Sequence, residues 1–312
     1  MISSVEEILG KSNSKLEPSD HEMIKFFQEN GYCIMSPSQF VLENIDQLRI
    51  ITDALFAKES WRGGWEGKEQ YIKYKKTFNK GGRRLANLFN KDKLFLDLLS
   101  EKNLLKILYG LFGNDMKIGA LDLREPLLGT GWQELHIDWL PKKNSDDLTQ
   151  NVICFIFLDD ANKENGTMRV VPKTHKKVGW IDDHQKDKSS HQDEIYIDVK
   201  EGSIILMDAN TWHSGSTNHD GARRRVLYMD VRRRSIPQLL NQRIYLDENT
   251  QNSLSPAQKF LLGVRENDEI YDERVFAVGD YYRKHMEELD NFNKKHGGRI
   301  IKKIGMLKDM QT

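Results

Sequence analysis

Between residues 116 and 235 the chain is a succession of short apolar runs broken by turn sequences, with no helical repeat between them. The runs fall at 116–123, 134–139, 152–158, 168–171, 194–199, 203–207 and 224–231. The breaks contain Glu164-Asn165-Gly166, Glu201-Gly202 and Asp220-Gly221, residue types that accept the backbone of tight turns. Parallel strands need a long crossover, usually a helix. Without one, these strands must pair antiparallel, and many short antiparallel strands close into a barrel or sandwich.

Helical spacing lies on either side. Residues 1–17 are polar and are expected to be loosely ordered. A helix is expected from Ser19-Asp20-His21-Glu22, with Met23, Phe26 and Phe27 as its apolar stripe and Gly31 as its end. A short strand at 32–35 follows. After Pro37, Phe40, Ile45, Leu48, Ile51 and Leu55 recur at helical spacing, and leucines do so across 91–112. Trp61 and Trp65 sit in a Gly-rich loop. Past Pro237, helices are expected at 256–262 and 281–292, and a basic solvated tail at 294–308. The expected organisation is one domain over 1–312: an N-terminal helical layer (1–115), a β core (116–235) and a C-terminal helical extension (236–312).

Lys plus Arg and Asp plus Glu are equal at 47 each, so the basic excess of a nucleic-acid protein is missing. No apolar run is long enough to span a bilayer as a helix. The N-terminal residues lack a basic segment followed by an apolar one, so no secretory signal is expected. Cys33 and Cys154 sit in apolar runs and read as buried free thiols in a reducing compartment. The expectation is a cytoplasmic protein with a small-molecule partner and neither nucleic acid nor membrane. Oligomeric state is left open.

The chemistry centres on Gln133-Glu134-Leu135-His136-Ile137-Asp138-Trp139. On a strand, His136 and Asp138 share a face. An imidazole and a carboxylate there can take adjacent places around a metal, and His213 is the best third ligand. Two His and one carboxylate make the facial triad of non-haem Fe(II) oxygenases, which leaves positions for co-substrate and O2. His175, His184, His191 and His219 are weaker candidates, in loops or after a proline turn. The common co-substrate, 2-oxoglutarate, carries a distal carboxylate that a bidentate Arg suits. Arg223, Arg224 and Arg225 follow His213. Alternation turns Arg224 opposite to the other two, and two of the three read as a solvated surface cluster.

These motifs together resemble the phytanoyl-CoA dioxygenase-like family. The resemblance is carried by Gln133-x-x-His136-x-Asp138, by Asn165-Gly166 through Pro172-Lys173-Thr174-His175, and by His213-x-x-x-x-Asn218 followed by arginines. Phe27-Gln-Glu-Asn-Gly31-Tyr-Cys-Ile-Met is similar to that family's opening helix and strand, so the likeness runs from about 20 to about 235. The resemblance implies a double-stranded β-helix (jelly-roll, cupin-like) core that is mainly β with flanking helices. It implies Fe(II), 2-oxoglutarate and O2 as cofactors, with His136, Asp138 and His213 as iron ligands. Arg224, six residues past Asn218, matches the co-substrate arginine. Phe155 matches an aromatic lining the co-substrate, and Gln133 a polar residue beside it. The family often has a serine two residues past the last histidine. Gly215 stands there, between Ser214 and Ser216, which leaves Ser216 as the candidate for that contact. Trp139, directly after Asp138, is a candidate substrate contact, with core packing its competing role. Halogenating relatives carry a small residue where this chain keeps Asp138, so hydroxylation of an unactivated C–H is the expected reaction, on a small polar metabolite, with release of succinate and CO2. Desaturation, cyclisation or epoxidation on the same fold, and a non-catalytic cupin-like metal-binding module, are the alternatives. Loops 141–150 and 181–193 are candidate lids.

Overall fold

A computed structural model of the chain describes residues 4–10, 13–59, 82–236, 238 and 240–264. Two antiparallel sheets face each other. The larger is built from β1 (Tyr32–Met35), β2 (Arg83–Leu85), β3 (Lys117–Glu125), β4 (Asn151–Phe157), β7 (Ile204–Asp208) and β9 (Val226–Arg232), in the order β1-β7-β4-β9-β3-β2. The smaller contains β5 (Met168–Val171), β6 (Ile195–Tyr196) and β8 (Trp212–Gly215), in the order β6-β5-β8. This is the jelly-roll architecture, and every strand pair is antiparallel, as the missing crossovers require.

Alternation sorts the larger sheet into two faces. Register pairs Phe155 with Tyr228 and Ile205, and Asp122 with Tyr228, so these residues share the inner face. Ile153, Phe155, Phe157, Ile205, Met207 and Val226 pack there against Met168 and Val170 of the smaller sheet. On the outer face, Leu121, Leu123, Cys154, Ile156, Leu206, Leu227 and Met229 join a larger cluster with the helices. Both cysteines are buried and free.

That helical layer comprises α1 (Val5–Leu9), α2 (Pro18–Asn30), α3 (Gln39–Glu59) and the segment Lys93–Phe112. In α2, Glu17 and Asp20 cap each other's backbone, and Gly31 closes the helix in the left-handed region at φ 84°. The stretch expected to be one helix over 91–112 divides into Lys93–Asp97, a 3-10 turn at Leu98–Ser100, and Lys102–Phe112. The Glu101 side chain, accepting from Leu104 N–H, starts the last of these and so accounts for the break. The expectation of a loosely ordered N-terminus also fails in part. Val5 and Leu9 are buried in the main core, and Val5 N–H donates to Asn114 Oδ1 at 2.9 Å. Only that long-range partner reveals the order, and the local composition cannot.

Two further differences bear on function. The run 194–199 forms only the two-residue strand Ile195–Tyr196. The segment 134–139 is extended but is not a regular strand. His136 exchanges both backbone bonds with His213 (2.9 and 3.1 Å), while Gln133 N–H reaches Gly215 O and Asp138 N–H reaches Ala209 O. These pairings are out of step, so a single bridge replaces a ladder. Past β9, helices occur at Gln242–Tyr245, Glu248–Ser253 and Pro256–Leu261. Trp61, Trp65, the helix expected at 281–292 and the basic stretch 294–308 lie outside the described residues. No described helix is long and apolar enough to cross a membrane.

Candidate metal centre

The reciprocal bridge between residues 136 and 213 decides the site. Two residues directly opposite each other on antiparallel neighbours project to one face, and the imidazoles of His136 and His213 lie 4.3 Å apart centre to centre. Asp138, two residues on, shares that face. Asp138 Oδ2 lies 3.3 Å from His213 Nε2, and Oδ1 lies 3.7 Å from His136 Nε2. The three donor atoms all fall within 4.8 Å of one another, and among the described residues no other group of His, Cys, Asp and Glu gathers this way.

The outward ring nitrogens are already engaged. His136 Nδ1 bonds to the Glu134 carbonyl at 2.8 Å, and His213 Nδ1 to the Thr211 carbonyl at 2.9 Å. A carbonyl can only accept, so each Nδ1 carries a proton and each Nε2 is the donor atom that faces Asp138. The donor set therefore fits a divalent first-row metal. Charge agrees with geometry. Burial, reinforced by His213, lowers His136 to about 4, so it is neutral at physiological pH. Burial alone would raise the Asp138 carboxyl, but His213 and His136 hold it well below the usual range. Burial opposes charge on His213 as well, yet the Asp138 carboxylate raises it. A metal ion competes with the proton for that ring nitrogen.

The triad opens into a small cleft between the sheets, with a volume of about 100 Å³. Arg224, Phe155 and Gln133 line it, as expected from the sequence. Phe155 stands edge-on to Tyr228 at 5.0 Å and to His213 at 6.4 Å. Arg224 is 3% exposed, and its Nε has no hydrogen-bond partner. Burial pulls this guanidinium below its usual range, and Tyr228 partly offsets that. A buried cation with an orphaned donor is what a dianionic ligand would satisfy.

The neighbouring arginines behave as alternation requires and are held in ion pairs; Arg225 is buried, while the Arg223 side chain stays 38% exposed. Arg223 donates to Asp53 (2.6 and 2.8 Å) and Glu125 (2.6 Å), and Arg225 clasps Asp159 at 2.7 and 2.8 Å. Ser216 does not line the cleft. Its hydroxyl donates to the Thr167 carbonyl, and Ser214 faces the cleft instead. A Cβ at Gly215 would collide with the Gly131 carbonyl, so the departure from the family's serine follows from the close approach of that loop. Trp139 does not line the cleft; it lies under the Arg232 guanidinium at 4.7 Å and packs against the inner-face apolar cluster. No residue of 141–150 or 181–193 lines the cleft. His175 and His184 bond to the Gln28 and Val178 carbonyls, as structural residues do.

Residues 27–226 match the profile of the phytanoyl-CoA dioxygenase (PhyH) family. The chain belongs to that family. A phytanoyl-CoA dioxygenase-family protein uses Fe(II), 2-oxoglutarate and O2, and the triad and Arg224 fit the first two. Dioxygenase cnsJ of Penicillium expansum is 32% identical over 133 residues, 39% of this chain and 38% of that protein's length. Among solved structures, HygX from Streptomyces hygroscopicus, with nickel and 2-oxoglutarate bound, superposes with a TM-score of 0.56 at 14% identity, covering 72% of this chain and 89% of HygX. The α-ketoglutarate-dependent carbocyclase SnoK from nogalamycin biosynthesis gives 0.55 at 18% identity, covering 75% and 87%. At such identities these two establish the fold.

Sequence reasoning missed Arg84, Arg124, Phe157, Met168, Ser214 and Tyr228, which also line the cleft. Two of them were within reach of parity. Tyr228 is four residues past Arg224, on the same face. Arg124 is two past Asp122 and pairs with Val226. Arg84 had no such signal, because β2 is a three-residue edge strand.

Proposed function

We propose that this chain is an Fe(II)- and 2-oxoglutarate-dependent dioxygenase that hydroxylates an unactivated C–H bond of a small polar molecule, with release of succinate and CO2. The observation that supports this best is the coincidence of an intact two-His-one-carboxylate cluster and the buried Arg224 in one cleft. A non-catalytic metal-binding module has no use for the second feature.

Each residue has a part. His136, Asp138 and His213 would hold the iron, which when bound supplies O2 activation and C–H oxidation. The Glu134 and Thr211 carbonyls keep both imidazoles in the ligating tautomer. Arg224 would take the distal carboxylate of 2-oxoglutarate and so fix which end faces the metal. Phe155 and Phe157 line the cleft with apolar surface and exclude water from the reacting atoms. Asp138 fills the carboxylate place, which leaves no extra position for a halide.

Oxidative ring closure is the second reading, because the fold neighbour SnoK is a carbocyclase. Anaerobic titration with Fe(II) and 2-oxoglutarate, following the weak visible charge-transfer band, tests the oxygenase reading itself. Absence of the band, with no iron retained, would overturn it. Product mass separates the two reactions: hydroxylation adds one oxygen and cyclisation removes two hydrogens.

A further inference from the structure

The segment that carries two of the three candidate ligands is weakly registered by itself. It meets β8 through the single bridge between His136 and His213. Side chains alternate along an extended chain, so a slip of one residue would turn His136 and Asp138 away from His213. Contacts outside β8 must therefore help to hold the register. Two backbone groups of the segment are taken by other parts of the fold. Leu135 N–H donates to the Lys188 carbonyl at 2.8 Å. The Gln133 carbonyl accepts from Arg169 Nη2 at 3.0 Å.

Arg169 is placed to join these parts. On β5, Met168 and Val170 pack toward the larger sheet, so alternation puts Arg169 and Val171 on the opposite face. Val171 packs there with Leu135, Ile181 and Trp212, and the rings of His184 and His191 lie 5.5 and 5.8 Å from that of Trp212. The stretch 181–194 thus covers the outer face of the smaller sheet, behind the metal corner. Arg169 is 3% exposed. Its Nη1 donates to the Ser189 carbonyl at 2.9 Å and to both carboxylate oxygens of Glu194 at 3.1 Å. One guanidinium therefore ties β5, the stretch 189–194 and the backbone of Gln133 together. A buried ion pair is often no more stabilising than apolar side chains of the same volume. What it adds is donors in fixed directions, and one of these points at a carbonyl three residues before His136.

We propose that Arg169 is a positioning residue for the metal centre: from outside the cleft it fixes the register of residues 133–138 against β8, and so brings His136 and Asp138 to His213. This rests on the reading of the triad as a metal site. Arg169 does not line the cleft, so its effect passes through the Gln133 backbone.

The test titrates the metal-free full chain with Co(II) alone. Calorimetry gives the affinity, the visible ligand-field bands report ligand number and geometry, and the melting temperature of each variant is measured alongside. Arg169→Met is expected to weaken Co(II) about 10- to 100-fold, as the loss of a group that orients metal ligands does, and to alter the bands. Arg169→Lys keeps the charge beside Glu194 but loses the fork, so it should weaken Co(II) by a smaller factor. Arg223→Met loses its ion pairs to Asp53 and Glu125, so it should lower the melting temperature and leave Co(II) affinity within about twofold. The proposal is overturned if Arg169→Met binds Co(II) within about twofold of wild type with the same bands, or if Arg223→Met loses as much affinity. If Arg169→Met does not fold, wild-type affinity and bands in Arg169→Lys overturn it instead. Wild-type binding with unaffected Arg169 variants sinks only this inference, whereas no Co(II) binding by wild type sinks the reading of the triad first.

Discussion

Replacing Arg224 by methionine tests the division of labour in the cleft. The guanidinium is 3% exposed, and its Nε lacks a partner. A bidentate contact to the distal carboxylate of 2-oxoglutarate adds two charge-assisted hydrogen bonds, each worth about 1.5–3 kcal/mol. The upper end of that sum is too large, because Tyr228 already supports the charge in the ligand-free protein. A net loss of about 3 kcal/mol remains, which is about 150-fold in Kd. Anaerobic calorimetry with 2-oxoglutarate should show that loss, while iron content, measured by metal analysis, stays at the wild-type level. Ligand-free Arg224→Met should melt no lower than wild type, since it removes a buried cation and an orphaned donor. Arg223→Met is the control. It loses the contacts to Asp53 and Glu125, so it should destabilise the fold and leave 2-oxoglutarate affinity alone. A shift below about fivefold in Arg224→Met, or an equal shift in Arg223→Met, would refute the assignment.

His213→Ala should abolish iron retention after desalting, and Asp138→Ala should weaken it strongly, both with near-wild-type circular dichroism; full retention in either would exclude that residue as a ligand. For stability against pH, burial opposes ionisation of Asp159, but its hydrogen bonds to Arg225 lower its pKa below the ordinary 3.8. The stability it contributes is thus complete above that ordinary value and is lost as pH falls through the lowered one, so Asp159→Asn should flatten the acid limb of a melting-temperature profile. Gly215→Ala should lower both melting temperature and metal affinity, because its Cβ drives against the Gly131 carbonyl beside the 136–213 bridge; a neutral effect would mean that the loop gives way easily. Burial pushes the Cys33 thiol up to about 12, and Cys154 is raised as well. Iodoacetamide at pH 8 should therefore label neither in the native protein, as mass spectrometry would report.

The parts of the site legible in sequence were those governed by local parity. His136 and Asp138 lie two apart, which parity reads directly; parity also set Arg224 apart from its neighbours, and the family resemblance then chose it as the co-substrate arginine. The same logic went wrong where partners are distant. The ion pairs of Arg223 and the burial of Arg225 were hidden because Asp53, Glu125 and Asp159 are remote in sequence. Ser216 looked available because nothing local reveals the Thr167 carbonyl that takes its hydroxyl. Trp139 adjoins a ligand in sequence, yet its ring lies against Arg232 and outside the cleft lining. The β core was legible because alternating runs between turns leave few options, while the α1 anchor and the Glu101 break depend on single contacts that composition does not encode.

The segment 133–138 joins β8 through one reciprocal bridge, with its neighbours out of step. Two backbone bonds therefore clamp His136 and His213 to each other, like the fixed jaws of a chuck, and each ring is braced from behind by a carbonyl. Asp138 is the third jaw. Its side chain is 35% exposed, and its backbone is held by a single bond to Ala209. Ions of different radius can then be gripped by moving one carboxylate, with the two imidazoles left in place. Manganese, cobalt and nickel should all seat in this centre with the same histidine geometry, and the difference between them should appear in the Asp138 torsions alone.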